Sequence, residues 1–118
     1  MTVDEFFAGH DEARRLFDRV PEVVTSVGPA RVRVTKSQVA FRRRTGFAFV
    51  WRPGQYLGAT EVPLVLTVGL RRRDDSARWK EVVEPSPGRF THHLELRAES
   101  EVDAEVRAWL AEAWETAG

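Results

Sequence analysis

Few residues in this chain are of a type and spacing that could do chemistry. His92 and His93 stand side by side, Ser37 follows Lys36, and arginines occupy positions 42, 43, 44 and 52. A histidine pair invites a metal or proton-transfer reading. Neighbours on a strand point to opposite faces, however, so these two rings cannot share an ion or a proton. His92 falls on the apolar parity of its segment and reads as a hydrogen-bonded core histidine. His93 falls on the other parity and is the functional candidate, an anion donor when protonated near pH ~6.5. Ser37 becomes a nucleophile only with a base close by, and one adjacent lysine does not supply that arrangement. Asp74-Asp75 reads as a solvated turn. There is no HExxH, no phosphate loop and no Gly-rich dinucleotide turn. The chain has no cysteine, which removes disulfides, thiolate metal sites and a cysteine nucleophile. No metal and no cofactor are expected.

The elements that must position these groups follow from periodicity. Thr2-Val-Asp-Glu5 fits a capping box opening a short helix to about Ala8, with Gly9 as its left-handed stop. A second helix is expected from Asp11, since Ala13, Leu16, Phe17, Val20, Val23, Val24 and Val27 recur at spacings of three and four. Pro21 predicts a kink or restart within it. Arg31–Thr35 alternates basic residues with valine, as a half-buried strand does. Lys36-Ser37 is the turn that follows, and Arg44-Thr45-Gly46 is the next one.

A three-residue loop there, with left-handed Gly46 beside a bulge, would set Phe41 opposite Phe49. That register keeps Val39, Phe41, Phe47, Phe49 and Trp51 on one face, and it is the expected one. Pro53–Pro63 reads as a loop with Tyr56 and Leu57 as its only large apolar groups. Leu64–Leu70, a short Trp79–Val83 and Phe90–Leu96 are further strands. Ser100 reads as the N-cap of a closing helix with Val102, Val106, Trp109, Leu110, Ala113 and Trp114 as its stripe. The fold class is α+β: an antiparallel sheet of about five strands, with two N-terminal helices and one C-terminal helix packed on one face. Residues 1–118 read as a single domain.

Formal net charge is zero, but as a cancellation. Residues 31–80 hold twelve Lys/Arg against three acids, whereas 1–30 hold three against six and 81–118 three against nine. Either the acidic helices neutralise a basic sheet, or the sheet presents a basic surface to an external anion. The start, MTVDEFFAGHDE, lacks the basic and apolar regions of a signal peptide, and no apolar run reaches the ~20 residues of a membrane helix. A cytoplasmic protein without a membrane partner is expected.

If the aromatics face the helices, the opposite parity carries Arg31, Arg33, Gln38, Ala40, Arg42, Ala48, Val50, Arg52, Thr67, Gly69, Arg71, His93, Glu95 and Arg97. That face is basic at its margins and small at Ala40, Ala48 and Gly69, where a partner could approach closely. Phosphate recognition by the arginines would weaken steeply with salt. Base stacking needs aromatics among the basic groups, but the aromatics are expected on the other parity, so only Trp51, Tyr56 or Trp79 near an edge would serve.

Three runs, TKSQVAFRRRTGFAFVWRP, GRFTHHLELR and ESEVDAEVRAWLAEAW, resemble a bacterial and archaeal family catalogued as domain of unknown function 5655. The helix DEARRLFDRV and the VTSVGP that follows fit it too. The matching positions include Lys36, Phe41, Phe47, Ala48, the Gly88–His92 segment and Asp103. The resemblance implies one compact α+β domain and brings no catalytic residues with it.

The functional expectation is a small binding or accessory module recognising an anionic partner through Lys36, Ser37, Arg42, Arg44, Arg52 and His93. Nucleic acid is the first candidate partner and a phosphorylated small molecule the second. The alternative is a homodimeric interaction module with no small ligand. A third reading is an enzyme using His93 with Ser37 or Lys36.

Overall fold

Ala13, Leu16, Phe17, Val20 and Val24 fall on one stripe of the helix Asp11–Val27 (α2), and all five are buried. That stripe is the spacing seen in the sequence, and α2 continues through Pro21 without a restart. The proline costs an interior helix about 3 kcal/mol. Burying Leu16, Phe17, Val20 and Val24, at roughly 1.5–3 kcal/mol each, more than offsets it. The computed structural model describes residues 1–57 and 61–118. The expectations placed on the side chains of Tyr56 and Leu57, and on the order of the whole 53–63 segment, lie outside the described residues.

Ahead of α2 lies the short helix Val3–Phe6 (α1). Thr2 Oγ1 accepts from the Glu5 backbone N–H at 3.1 Å, and Glu5 returns the bond to the Thr2 N–H at 2.9 Å. The helix ends two residues before Ala8, and Gly9 takes the left-handed conformation at φ +78°. Phe6 and Phe7 pack edge to face, and Phe7 meets Phe17.

Six strands follow rather than about five: Arg31–Val34 (β1), Val39–Arg42 (β2), Gly46–Trp51 (β3), Leu64–Leu70 (β4), Glu81–Ser86 (β5) and Arg89–Leu96 (β6). They form one antiparallel sheet in the order β1-β2-β3-β4-β6-β5. Between β3 and β4, residues Gly54–Leu57 form a helical turn (α3) where only loop was expected. Helix Ala104–Thr116 (α4) closes the chain. Its N-cap is Asp103, whose carboxylate accepts the Val106 N–H at 3.1 Å. Ser100 sits instead in a 3-10 turn at Glu99–Glu101.

The β2–β3 hairpin departs from expectation. Its pairs are Val39↔Val50, Ala40↔Phe49 and Phe41↔Ala48, followed by a bulge to Arg42↔Gly46. The expected Phe41↔Phe49 pairing is therefore off by one residue, and such a slip exchanges the faces. Gly46 has no positive φ. A Cβ there would lie 2.8 Å from Phe49 Cζ, so a larger residue would make the tip of that half-buried ring shift. The bulge lets Phe47 stay in the core beside Ala48 and Val50, while Phe49 and Trp51 turn to the opposite face.

The core lies between the sheet and α1, α2 and α4. It takes Val39, Phe41, Ala48 and Val50 from the hairpin and Leu64, Leu66 and Val68 from β4. Leu94 and Leu96 come from β6, and Val106, Leu110 and Ala113 from α4. Small residues at Ala48 and Ala113 let α4 approach β3 and β4 closely. Arg43 fastens the far end of α4. Its guanidinium lies 3.6 Å from the Trp114 ring centroid and donates to the Trp114 carbonyl at 3.1 Å.

His92 belongs to this core. It is completely buried, its Nε2 accepts the Asp74 backbone N–H at 2.9 Å, and its Nδ1 faces the Val68 carbonyl at 3.3 Å. A carbonyl only accepts, so Nδ1 carries the proton and the ring is neutral. Its ring packs on Trp79, which packs on Trp109 of α4.

Candidate functional site

The sheet face turned away from α2 and α4, the outer face, is crossed by a single row of paired residues. From one edge to the other it runs Arg33, Ala40, Phe49, Thr67, His93, Glu81. A second row, Trp51, Val65, Glu95, lies beside it. The centre of this face is packed: Ala40, Val65 and Thr67 are buried, and Ala40 and Val65 stand outside the core cluster on the helix side. Phe49 and Trp51 are half-buried there, contrary to the expectation that they face the helices. Ala48, Val50 and Arg52 make the opposite exchange and lie on the helix side. The reason is the bulge together with the indole N–H of Trp51, which needs an acceptor. The outer face supplies one in Thr67 Oγ1, 3.0 Å away.

Thr67 Oγ1 is also 2.7 Å from His93 Nδ1. The indole can only donate, so it takes a lone pair of the hydroxyl. The hydroxyl proton is then satisfied by pointing at Nδ1, which leaves the His93 proton on Nε2. Trp51 and His93 also meet edge to face, with ring centroids 6.1 Å apart. Burial holds the His93 pKa below its ordinary value, against the pull of the Glu81 carboxylate. His93 is thus a neutral donor whose basic nitrogen is already engaged, an arrangement suited to hydrogen-bonding a ligand rather than to taking a proton. Beside it, Trp51, Pro53, Val65, Lys80, Glu81, His93 and Glu95 line a cavity of about 380 Å³.

The structure separates the residues singled out in the sequence. Lys36 and Ser37 form the β1–β2 turn, where Gln55 Nε2 donates to the Lys36 carbonyl at 2.7 Å. The Ser37 hydroxyl meets Thr35 Oγ1 at 3.1 Å. Three strand spacings, about 14 Å, lie between β2 and β6, so the hydroxyl beside His93 is that of Thr67 and not Ser37. Arg42 lies at the bulge on the outer face. Arg44 lies in the turn that follows, its backbone N–H bonded to the Ala117 carbonyl at 2.9 Å. Arg52 is on the other side of the sheet, its guanidinium 5.6 Å from the Phe6 ring centroid. Its Nε is buried with no hydrogen-bond partner among the described residues.

The division of charge is equally specific. Arg72 pairs with Asp74 and Glu112, and Arg78 with Asp103 and Glu105, so part of the basic middle is neutralised by α4 and its approach. Among the described residues no carboxylate pairs with Arg31, Arg33, Arg42 or Arg44. Indeed the chain holds no acid at all between Glu22 and Glu61. Sequence reasoning placed Thr67 and His93 on this face but missed Phe49 and Trp51 as outer-face residues. The signal that could have found them was the indole, which in a strand facing an all-apolar layer would have lost its acceptor.

Among the described residues there is no cluster of three or more His, Cys, Asp or Glu that could hold a metal ion, and no helix long and apolar enough to cross a membrane. A family model described as Domain of unknown function (DUF5655) matches residues 3–117. No curated protein and no solved structure matches the chain.

Proposed function

The chain belongs to the DUF5655 family, and we propose that it is a binding module whose outer sheet face recognises an anionic partner, single-stranded nucleic acid. One observation carries the reading: the hairpin register puts Phe49 and Trp51 on the same face as Arg31, Arg33 and Arg42. Stacking of a base on an aromatic side chain contributes ~1–3 kcal/mol, and arginines without internal carboxylates are available to phosphates. Glu81 and Glu95 repel phosphate at the β6–β5 end of the face. The track of the strand therefore lies over β1, β2 and β3, with His93 at its limit as a neutral donor.

The test is an anisotropy titration of labelled single-stranded and duplex DNA and RNA at low and near-physiological salt. Single strands bind more tightly than duplex, with a steep salt slope, and Arg33→Glu with Arg42→Glu abolishes binding. No binding even at low salt, or binding indifferent to those changes, ends the proposal.

A second reading rests on the ends of the same row. Arg33 stands at one edge and Glu81 at the other, about five strand spacings or 24 Å apart. A second copy turned about an axis parallel to the strands would set each Arg33 against its partner's Glu81. This favours a two-fold dimer. Sedimentation reads it directly: a monomer at all concentrations removes it.

A further inference from the structure

We propose that the end of the outer face beside Gly69 is a second binding site, for a small single-ring aromatic carboxylate. This goes beyond the nucleic-acid reading and shares only Phe49 with that surface. A cavity of about 230 Å³ wraps the sheet where β3 and β6 begin and β4 ends, and its outer-face wall is Phe49, Gly69, Arg71, Pro85, Arg89 and Thr91.

Gly69 is the residue that needs explaining. Glycine weakens the interior of a strand and often marks a place where something approaches the backbone closely. Here the backbone does not require it, because its φ is not positive. The β4–β6 register runs without a bulge through Gly69↔Thr91. Packing does not require it either. A Cβ at this position would meet only the Phe47 carbonyl oxygen, at an ordinary 3.6 Å. What a side chain there would do is fill the cavity. The glycine therefore keeps the floor open, with the Phe49 ring beside it.

The rim supplies the charge. Arg71 and Arg89 are both exposed. Arg71 spends one long hydrogen bond, 3.4 Å, on the Thr116 carbonyl, and among the described residues neither arginine pairs with a carboxylate. The Thr91 hydroxyl bonds only weakly to the Val83 carbonyl, at 3.4 Å. A flat apolar ring laid on Gly69 against Phe49 directs a ring-borne carboxylate at the two guanidiniums, which match it as bidentate donors. Size sets the class: the cavity is below the ~300–1,000 Å³ of pockets for drug-sized ligands, which leaves room for one ring.

Benzoate is the probe, with benzamide as the neutral isostere, followed by amide chemical shifts in the wild-type chain. Benzoate at millimolar concentration shifts the amides of Gly69, Arg71, Arg89 and Thr91, and benzamide binds about tenfold or more weakly. Gly69→Leu removes the shifts. Arg71→Gln and Arg89→Gln, both at exposed positions, each weaken benzoate about tenfold and decide the matter should Gly69→Leu fail to fold. Equal binding of benzoate and benzamide, unchanged binding in the arginine variants, or no shifts in the wild type overturns the site. None of these outcomes bears on oligonucleotide binding, which is read separately.

Discussion

The backbone N–H of Asp74 donates to His92 Nε2 at 2.9 Å, across 18 residues of chain. The same aspartate accepts from the Trp79 indole at 2.8 Å and from Arg72 at 3.0 Å. One buried neutral imidazole thereby fixes the turn after β4, and through Arg72 and Glu112 that turn is tied to α4. Protonating the ring would set two N–H groups against each other.

That conflict predicts a pH dependence of stability. Burial lowers the pKa of His92 from 6.5, and of His93 likewise. The unfolded chain thus binds more protons than the folded one in this range, so stability rises with pH. The contribution is complete above pH 6.5 and is lost as pH falls from there toward the lowered folded values. Asp103 and Asp74 add a second, lower window. Burial pushes both carboxyls up, but the Val106 N–H and Arg78, and the Trp79 indole, Ser76 N–H and Arg72, outweigh it and leave both below 3.8. Denaturant midpoints between pH 5 and 8 check the histidine window. A flat profile there rejects it.

The hairpin register makes Phe41 and Phe49 unequal. Phe41 is 1% exposed against α2, and Phe41→Ala costs about 3–5 kcal/mol. Phe49→Ala, on the outer face, costs less than half as much and instead weakens oligonucleotide binding. Equal losses of stability, measured by urea denaturation, would point to the register expected from sequence.

Arg43 holds Trp114 by its flat guanidinium. Arg43→Ala loses about 1–2 kcal/mol, and Arg43→Lys does not restore it, because an ammonium cannot both lie on the indole and reach the carbonyl. Chemical denaturation of the two variants, with hydrogen exchange at the last turn of α4, reads the effect. Full rescue by lysine would mean that charge alone matters.

Among the described residues the buried Nε of Arg52 has no hydrogen-bond partner, so its removal relieves a cost as well as losing a contact. Arg52→Met puts an uncharged apolar side chain where the guanidinium faces Phe6. It changes stability by less than ~1 kcal/mol in either direction and leaves oligonucleotide binding as it was. A large loss of binding would place Arg52 at the interface after all.

The elements were legible in the sequence because each is set by its own neighbours. The stripe of α2, the Thr2–Glu5 cap and the inward Leu64, Leu66, Val68 and Leu70 of β4 all survive in the structure, whereas the half-buried alternation expected of β1 does not, since Val32 is half exposed. His92 was legible for the same reason, since its parity alone sends it inward. What failed was the relation between strands. Placing Phe49 and Trp51 required knowing that Phe47 would be absorbed by a bulge, that α4 would come close enough to demand Ala48, and that Thr67 would accept the indole. Those facts depend on residues 16 to 65 positions away. The candidate site was scattered for the same reason: Arg42 and Arg52 share a parity in the sequence but are on opposite sides of the sheet.

Among the described residues the strand order leaves β1 and β5 with one flank that no other strand pairs, and β1 also exposes half of Val32. Such a flank is a template on which further chains can stack. Arg31 and Arg33 project from this one, and Pro85 interrupts the other by withholding an amide hydrogen. The two arginines thus stand as gatekeepers against polymerisation. Charge reversal keeps that guard in place, whereas replacing both by apolar residues would turn the open edge into a seed for fibres.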